Sequence, residues 1–493
     1  MNPLKKLAGQ TVIYGLSSVV GRLLNYLLVP LYTRYFLPEE YGIVTELYAY
    51  VAFLVVILTY GIETAFFRYS QKVPNKRTVY STALISLLVT STLFVFIIFS
   101  SAIPIANWLE YPNHSEYIQF FALIIGLDAV SAISFAKLRE KNNASRFALV
   151  RLVNIFINIG LNLFFIIYCP YALEKGLSSV EFVNSVYSEG YGVGYIFIAN
   201  LIASAITFLM LLPEMIKSVW IFDKKLWKQM MIYALPLLIA GLAGMTNETI
   251  DRILLKHLLP DTVNASTELG LYGAFYKLSI LMILFIQTFR FAAEPFFFAQ
   301  EKDKNSRKIY ADVMKYFVII TSVIFLFVSL FYEFIIIFLG ENYHDPRGFK
   351  TVSILLAANL FLGIYYNLSI WFKLSEKTRY GAYLSIFGAI ITLILNFILI
   401  PIIGFVGSAW ATLVCYFCMM IASYFLGRQH YKIPYPLKRI FFYLGLVMFF
   451  FFTSVFLNLT IIFNSLYIVL FISIAFFLEK PKKAVISNPK LFD

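Results

Sequence analysis

Long apolar runs alternate with short loops along this chain, and every second loop is basic. The basic segments are Met1–Lys6, Arg68–Arg77, Lys137–Arg146, Lys217–Lys228, Lys302–Lys308, Lys373–Arg379, Arg428–Arg439 and the tail from Lys480. Together they hold 29 of the 40 Lys and Arg residues. The intervening loops hold only Lys175, Lys256, Arg347 and Lys350, against eleven acids such as Glu110, Glu116 and Asp261. Short loops rich in Lys and Arg stay in the cytoplasm. The alternation therefore predicts an all-α polytopic membrane protein. It has an even number of transmembrane helices, about fourteen, and both termini are cytoplasmic.

Bulk composition points the same way. The chain is 60% hydrophobic and only 14% charged, with a mean hydropathy of +0.79. The net charge of +13 follows from the loop bias, so nucleic acid is not expected as a partner. Cys415 and Cys418 form a C-x-x-C pattern inside an apolar helix with no neighbouring cation, which favours packing over redox chemistry. The histidines are scattered, and no metal-ligand spacing occurs. Lys5 and Lys6 precede a span too long for a signal-peptide core, so the first helix is expected to be retained.

The predicted spans are 9–36, 41–67, 79–105, 117–137, 146–169, 190–212, 228–256, 269–299, 309–339, 350–373, 380–402, 405–427, 440–458 and 460–478. An internal repeat links two of them. Lys5, Lys6, Leu7, Gln10, Ile13, Tyr14 and Leu16 match Lys224, Lys225, Leu226, Gln229, Ile232, Tyr233 and Leu235 at one offset of 219 residues. Leu37-Pro38 with Tyr41-Gly42 is echoed by Leu259-Pro260 with Tyr272-Gly273. Six helices separate the copies, so both start on the same side, as in parallel-repeat transporters. The expected organisation is a six-helix lobe over 1–223, a second over 224–437, and two extra helices with a cytoplasmic tail over 438–493.

An ionisable group at membrane depth costs about 2.5–3.5 kcal/mol on insertion scales, so it faces a cavity or a partner. Arg22 lies roughly 20 Å into the first span. It either lines a cavity or pairs with Asp128. The seventh span carries Asn247, Glu248, Asp251 and Arg252. Glu248 and Arg252 have the spacing of an intrahelical ion pair, and the alternative is a cavity-facing cluster for phosphate or a coupling cation. In the eighth span Lys277 and Arg290 lie about 220° apart around the helix. Unless that helix bends, only one can be a central ligand. Arg290 and Glu294 could pair with each other, as could Glu63 and Arg68. Glu46 also lies in the second span. Asn154, Asn158 and Asn162 form a polar stripe that serves either interhelical hydrogen bonding or sugar contact.

Gly21-Arg22-Leu23-Leu24-Asn25, Pro30-Leu31-Tyr32-Thr33 and Leu37-Pro38-Glu39-Glu40-Tyr41-Gly42 resemble the N-terminal signature of bacterial polysaccharide (O-antigen type) flippases. These belong to the multidrug/oligosaccharidyl-lipid/polysaccharide exporter superfamily. Ile250–Leu255 and Gly270–Lys277 resemble the same family. The resemblance implies two six-helix lobes around a cationic cavity and translocation of undecaprenyl-diphosphate-linked oligosaccharide across the inner membrane by alternating access. It makes Arg22 and Arg252 the leading diphosphate ligands, with Lys277 and Arg290 as further cavity cations. The last two helices would guide the lipid tail. Glu248, Asp251, Glu63 and Glu294 are candidates for proton or sodium coupling, and no other cofactor is implied. Membrane lipids, a polysaccharide polymerase and glycosyltransferases are the implied partners. Two other cargoes fit the same fold: cationic drugs and a peptidoglycan-precursor lipid. A polymerase or ligase would need catalytic groups in a large outer loop. The acids of Pro170–Glu189 have no accompanying arginine, so no catalytic residue is assigned and no enzyme is expected.

Overall fold

A computed structural model describes residues 21, 23–300 and 305–480, so the cavity candidate Arg22 lies outside the described residues. The N-terminal half comprises α1 (Leu28–Tyr35), α2 (Pro38–Thr59), α3 (Ile62–Lys72), α4 (Lys76–Ser100), α5 (Ser115–Glu140), α6 (Ala144–Leu163) and α7 (Gly194–Ile216). Next come α8 (Lys224–Leu258), α9 (Ala265–Leu278), α10 (Ile280–Gln300), α11 (Ser306–Leu330), α12 (Arg347–Leu368), α13 (Arg379–Ile403) and α14 (Phe405–His430). The chain closes with α15 (Leu437–Leu457) and α16 (Ile461–Glu479). Every regular element among the described residues is helical. That is the economical solution in hydrocarbon, because a helix satisfies its own backbone groups.

Among the described residues, thirteen helices are long and apolar enough to cross a bilayer. They coincide with the second to fourteenth predicted spans. The first span is described only near its end, in α1. Helix starts follow local chemistry. Asn75, Asn143, Asp223 and Asn264 cap α4, α6, α8 and α9 by accepting backbone N–H groups of the first turn. Pro38 occupies the first turn of α2, and the Glu40 carboxylate accepts the Leu37 N–H at 2.9 Å. Two boundaries differ from the hydropathy pattern. The apolar stretch beyond Leu330 does not continue α11, but folds into short turns at Tyr332–Ile335 and Ile336–Phe338. The largest predicted outer loop is itself partly helical, at Cys169–Lys175 and Val180–Val186.

The eighth predicted span is broken. Ser279 separates α9 from α10, with its hydroxyl donating to the Tyr276 carbonyl at 2.8 Å. The second is also broken: Tyr60 and Gly61 both adopt left-handed backbone between α2 and α3. Gly61 there lies against the Ala234 carbonyl of α8, a fit that favours glycine. The last two helices pack on α11 and are fastened to it at both ends. Glu479 accepts from Lys315 (2.6 Å), Arg439 (2.7 Å) and Tyr443 (2.8 Å). At the other end Asn464 accepts from Ser454 (2.6 Å) and donates to the Leu330 carbonyl (3.1 Å).

Candidate functional site

The two halves meet at the acidic end of the bundle, where α2 packs against α9 with almost no side-chain spacer. A Cβ on Gly42 would run into the Ser266 carbonyl, and one on Gly270 into the Pro38 carbonyl. One turn deeper, a Cβ on Gly273 would come within 2.5 Å of Thr45 Oγ1. The seam therefore brings together the two glycine-bearing motifs that the repeat had matched, Tyr41-Gly42 and Tyr272-Gly273. Polar contacts tie its rim. Lys256 of α8 pairs with Glu110 at 2.9 Å and donates to Ser266 at 3.3 Å. The Tyr50 hydroxyl lies 3.1 Å from His257 Nε2. Glu46, fully buried in α2, accepts from the Tyr111 hydroxyl at 2.5 Å, and its other oxygen has no hydrogen-bond partner among the described residues. Arg347 forms a fork on Glu268 (2.7 and 2.8 Å) and also binds Asp345. Its hydrogen bonds hold the Asp345 carboxyl below the ordinary carboxylate value.

A second polar region lies inside the C-terminal half. Glu248 of α8, Tyr276 of α9, Arg290 of α10, Asn359 and Tyr366 of α12, and Tyr416 of α14 line a cavity of about 130 Å³. That volume holds several waters or one small polar group, and falls below the roughly 300–1,000 Å³ of sites for drug-sized ligands. Arg290 lines it and stacks on Tyr366 at 3.9 Å, and the buried Arg252 stacks at 4.2 Å on Tyr276, a second lining ring. Such stacking contributes about 0.5–2 kcal/mol and leaves the guanidinium edge available for hydrogen bonds. Arg290 and Lys277 make no ion pair among the described residues. Lys277 lies within electrostatic reach of Arg252 and Glu248. It sits on the same stripe of α9 as Gly270 and Gly273, one turn beyond the seam. The Ser279 break lies between Lys277 and Arg290, and of the two only Arg290 lines the cavity.

The seventh span divides its polar residues between structure and cavity. Asn247 is a packing hub: its amide donates to the Ser385 carbonyl (3.0 Å), and its backbone carbonyl accepts from Tyr416 (3.3 Å). Asp251 is buried, accepting from Tyr272 (2.5 Å) and standing 3.5 Å from Arg252 Nη1. The intrahelical pair suggested by spacing does not form, since Arg252 Nη1 donates instead to the backbone carbonyl of Glu248 at 2.7 Å. The Glu248 carboxylate is exposed to the cavity and makes no ion pair among the described residues.

The other sequence candidates lie elsewhere. Glu63 pairs with Arg139 rather than Arg68, whose guanidinium stacks on Tyr233. Glu294 pairs with Lys373 rather than Arg290. Both carboxylates thus sit in ion pairs toward the basic end. Asp128 has Ser204 as a hydrogen-bond partner and Arg151 nearby. In the asparagine stripe, Asn154 donates to Thr207 (2.9 Å), and Asn162 accepts from Tyr32 (2.9 Å) while donating to Asn158 (3.1 Å). These bonds join α6 to α7 and to α1. All three cysteines are free. Among the described residues no three His, Cys, Asp or Glu side chains converge as a metal site.

Sequence reasoning passed over the cavity tyrosines and the seam latch of Glu110 and Lys256. The tyrosines are indistinguishable in the text from dozens of interface aromatics. Glu110 and Lys256 are 146 positions apart, one in a loop and one at the end of a span, with nothing in their local sequence to mark them as partners.

Comparison with known proteins places this geometry. The fold matches a lipid II flippase, MurJ, in an inward closed conformation: TM-score 0.73 at 15% identity, covering 94% of this chain and 99% of that one. It matches an inward-facing MATE-family multidrug resistance transporter at TM-score 0.64 and 15% identity, over 85% and 94% of the two chains. A transporter of the same superfamily from Pyrococcus furiosus gives TM-score 0.55 at 14% identity, over 86% and 94%. At these identities the likeness establishes the polytopic transporter fold. No curated protein matches. The family model described as "Polysaccharide biosynthesis protein" matches residues 7–298, more than half of the chain. The chain belongs to the polysaccharide biosynthesis protein family.

Proposed function

We propose that this protein is a flippase for undecaprenyl-diphosphate-linked oligosaccharide in cell-surface polysaccharide biosynthesis, of which O-antigen assembly is one form. The observation that carries the reading is the pair of tyrosine-stacked arginines, Arg252 and Arg290, beside Lys277, with Arg290 and Lys277 lacking carboxylate partners among the described residues. A diphosphate is the complementary group, and guanidinium can bind it bidentately. The sugar must be shielded from hydrocarbon, while the prenyl tail can remain in it. In this reading the basic end faces the cytoplasm of the bacterial inner membrane and the glycine seam is the outer gate. The lobes 1–223 and 224–437 rock against each other across the seam, and the last two helices guide the tail. Arg22, on the first span, is a further candidate for the diphosphate.

Coupling to a proton or sodium gradient is part of the proposal. Glu248 is its leading carboxylate, because it faces the cavity while Glu63 and Glu294 are held in ion pairs. A glycosyltransferase would supply the lipid-linked glycan on one side, and a polymerase would consume it on the other. The test is complementation of a strain lacking its own O-antigen flippase, scored by surface polysaccharide and by lipid-linked intermediates trapped inside. Rescue supports the reading. Failure with confirmed membrane expression, together with rescue of drug export or of peptidoglycan-precursor flipping, would replace it.

A further inference from the structure

A second cationic cavity lies outside the site just described, at the basic end of the bundle. It is bounded by Trp371, Tyr424 and Arg428, by Tyr431 and Lys432 of the linker between α14 and α15, and by Leu437 at the start of α15. No acid lines it. Many cations at this end have carboxylate partners: Lys76 with Glu140, Lys137 with Glu214, Lys315 and Arg439 with Glu479, Lys373 with Glu294. Arg428 and Lys432 make no ion pair among the described residues. A third cation stands close, Arg307, stacked on Tyr431 at 4.9 Å. The general excess of positive charge on this side accounts for the presence of these cations, but not for their gathering around an acid-free cavity.

A separate apolar groove lies farther along α12 and α15. Ala357, Leu360 and Phe361 of α12 face Phe441, Leu444, Gly445 and Met448 of α15 across it. Leu368 and Leu437, which line the cationic cavity, extend the same two stripes: Phe361 to Leu368 is two turns, and Leu437, Phe441, Leu444 and Met448 follow helical spacing. From Leu437 to Met448 the crevice runs roughly 16 Å, about half of a ~30 Å hydrocarbon core. It lies on the far side of α12 from the diphosphate site. Asn359, Leu362 and Tyr366 face that site, and Ala357, Leu360 and Phe361 point about 180° away. A cationic head cavity followed, along the same two helices, by a one-leaflet apolar groove matches the shape of a lipid.

We propose that the crevice between α12 and α15 binds one anionic phospholipid of the surrounding bilayer. Its phosphate is held by Arg428 and Lys432, and one acyl chain lies along Phe441, Leu444, Gly445 and Met448. Basic pockets between transmembrane helices on the cytoplasmic side are a recurring setting for anionic headgroups. The bound lipid bridges the C-terminal half and the α15–α16 pair on the face opposite the transport path. The proposal needs the chain to be embedded in a bilayer, and it is independent of the cargo.

The test uses the purified full-length protein, equilibrated with phosphatidylglycerol or phosphatidylcholine, with bound lipid counted by native mass spectrometry. The wild type should retain one phosphatidylglycerol in preference to phosphatidylcholine. Arg428→Gln with Lys432→Gln should lower that retention roughly tenfold, to the phosphatidylcholine level. Gly445→Leu should lower retention of both lipids. A Cβ at Gly445 meets nothing within 4 Å, so this variant fills the groove without disturbing the helices. No preference in the wild type, or wild-type retention in both variants, would overturn the proposal. Displacement of phosphatidylglycerol by undecaprenyl diphosphate, lost in the double glutamine variant, would overturn the occupant in favour of the transported carrier.

Discussion

The seam and the cavity are both rich in charge, yet they use it in opposite ways. At the seam the cations are matched: Lys256 with Glu110, and Arg347 with Glu268 and Asp345. Glycines there let backbones touch, so the ion pairs sit on a contact already fixed by shape. Beside the cavity Arg290 and Lys277 make no ion pair among the described residues; Arg290 rests on the Tyr366 face, whereas Arg252 has both the Tyr276 face and Asp251, 3.5 Å away. Matched charge closes a surface. Unmatched charge, held in place by rings rather than carboxylates, awaits an anion. In the proposed function, the difference separates a gate from a binding site within one bundle.

Perturbations at five positions would break or sharpen this contrast. The largest effect is expected from Gly270→Leu. Its side chain cannot fit against Pro38, so the seam cannot close. Complementation should be abolished, and a cysteine placed at Ser266 should become reactive toward an external thiol reagent. Unchanged complementation would show that closure at the seam is dispensable. Next in size, Arg290→Ala should reduce translocation by an order of magnitude or more at normal expression. At its stacking partner, Tyr366→Phe should preserve rate and Tyr366→Ala should lower it severalfold, because the ring rather than the hydroxyl supports the cation. Equal loss in both tyrosine variants would argue for a hydroxyl contact instead.

A smaller effect is expected at Glu46. Tyr111→Phe removes the hydroxyl that this buried carboxylate accepts from, and should destabilise the purified protein by about 1–3 kcal/mol in thermal unfolding. The smallest effect concerns Glu110. The hydrogen bond from Lys256 holds its carboxyl below the ordinary value. A depressed value means the pair supports the closed seam above the free carboxylate range of about 4.3, and that this support fades as pH falls through the lowered value. The side chain is 72% exposed, so Glu110→Gln should shift seam opening by less than about 1 kcal/mol, and less still at high salt. Ser266 cysteine labelling against external pH measures it.

Most of the architecture was legible because lipid imposes a crude rule: one long apolar run for each crossing. Thirteen predicted spans reappear as helices, and the alternation of loop charge ordered them. Hydropathy could not see the Ser279 break, since a serine within an apolar run looks continuous with its neighbours. That break interrupts the helix between Lys277 and Arg290. Side-chain partners were less legible. The spacing of Glu248 with Arg252, Glu63 with Arg68, and Glu294 with Arg290 suggested local pairs, but Arg252 pairs with its neighbour Asp251, and tertiary contacts offered Arg139 to Glu63 and Lys373 to Glu294. The repeated Tyr-Gly motifs were visible as text. That they form the contact between the halves follows only from how α2 and α9 cross.

The most direct test is translocation in proteoliposomes loaded with a fluorescent undecaprenyl-diphosphate oligosaccharide, comparing the wild type with Arg252→Gln combined with Arg290→Gln. Leaflet exchange is read by quencher access. The account predicts facilitated exchange by the wild type and at least a tenfold loss in the double variant at equal reconstitution. Exchange at the wild-type rate in the double variant would contradict the claim that tyrosine-stacked cations carry the diphosphate.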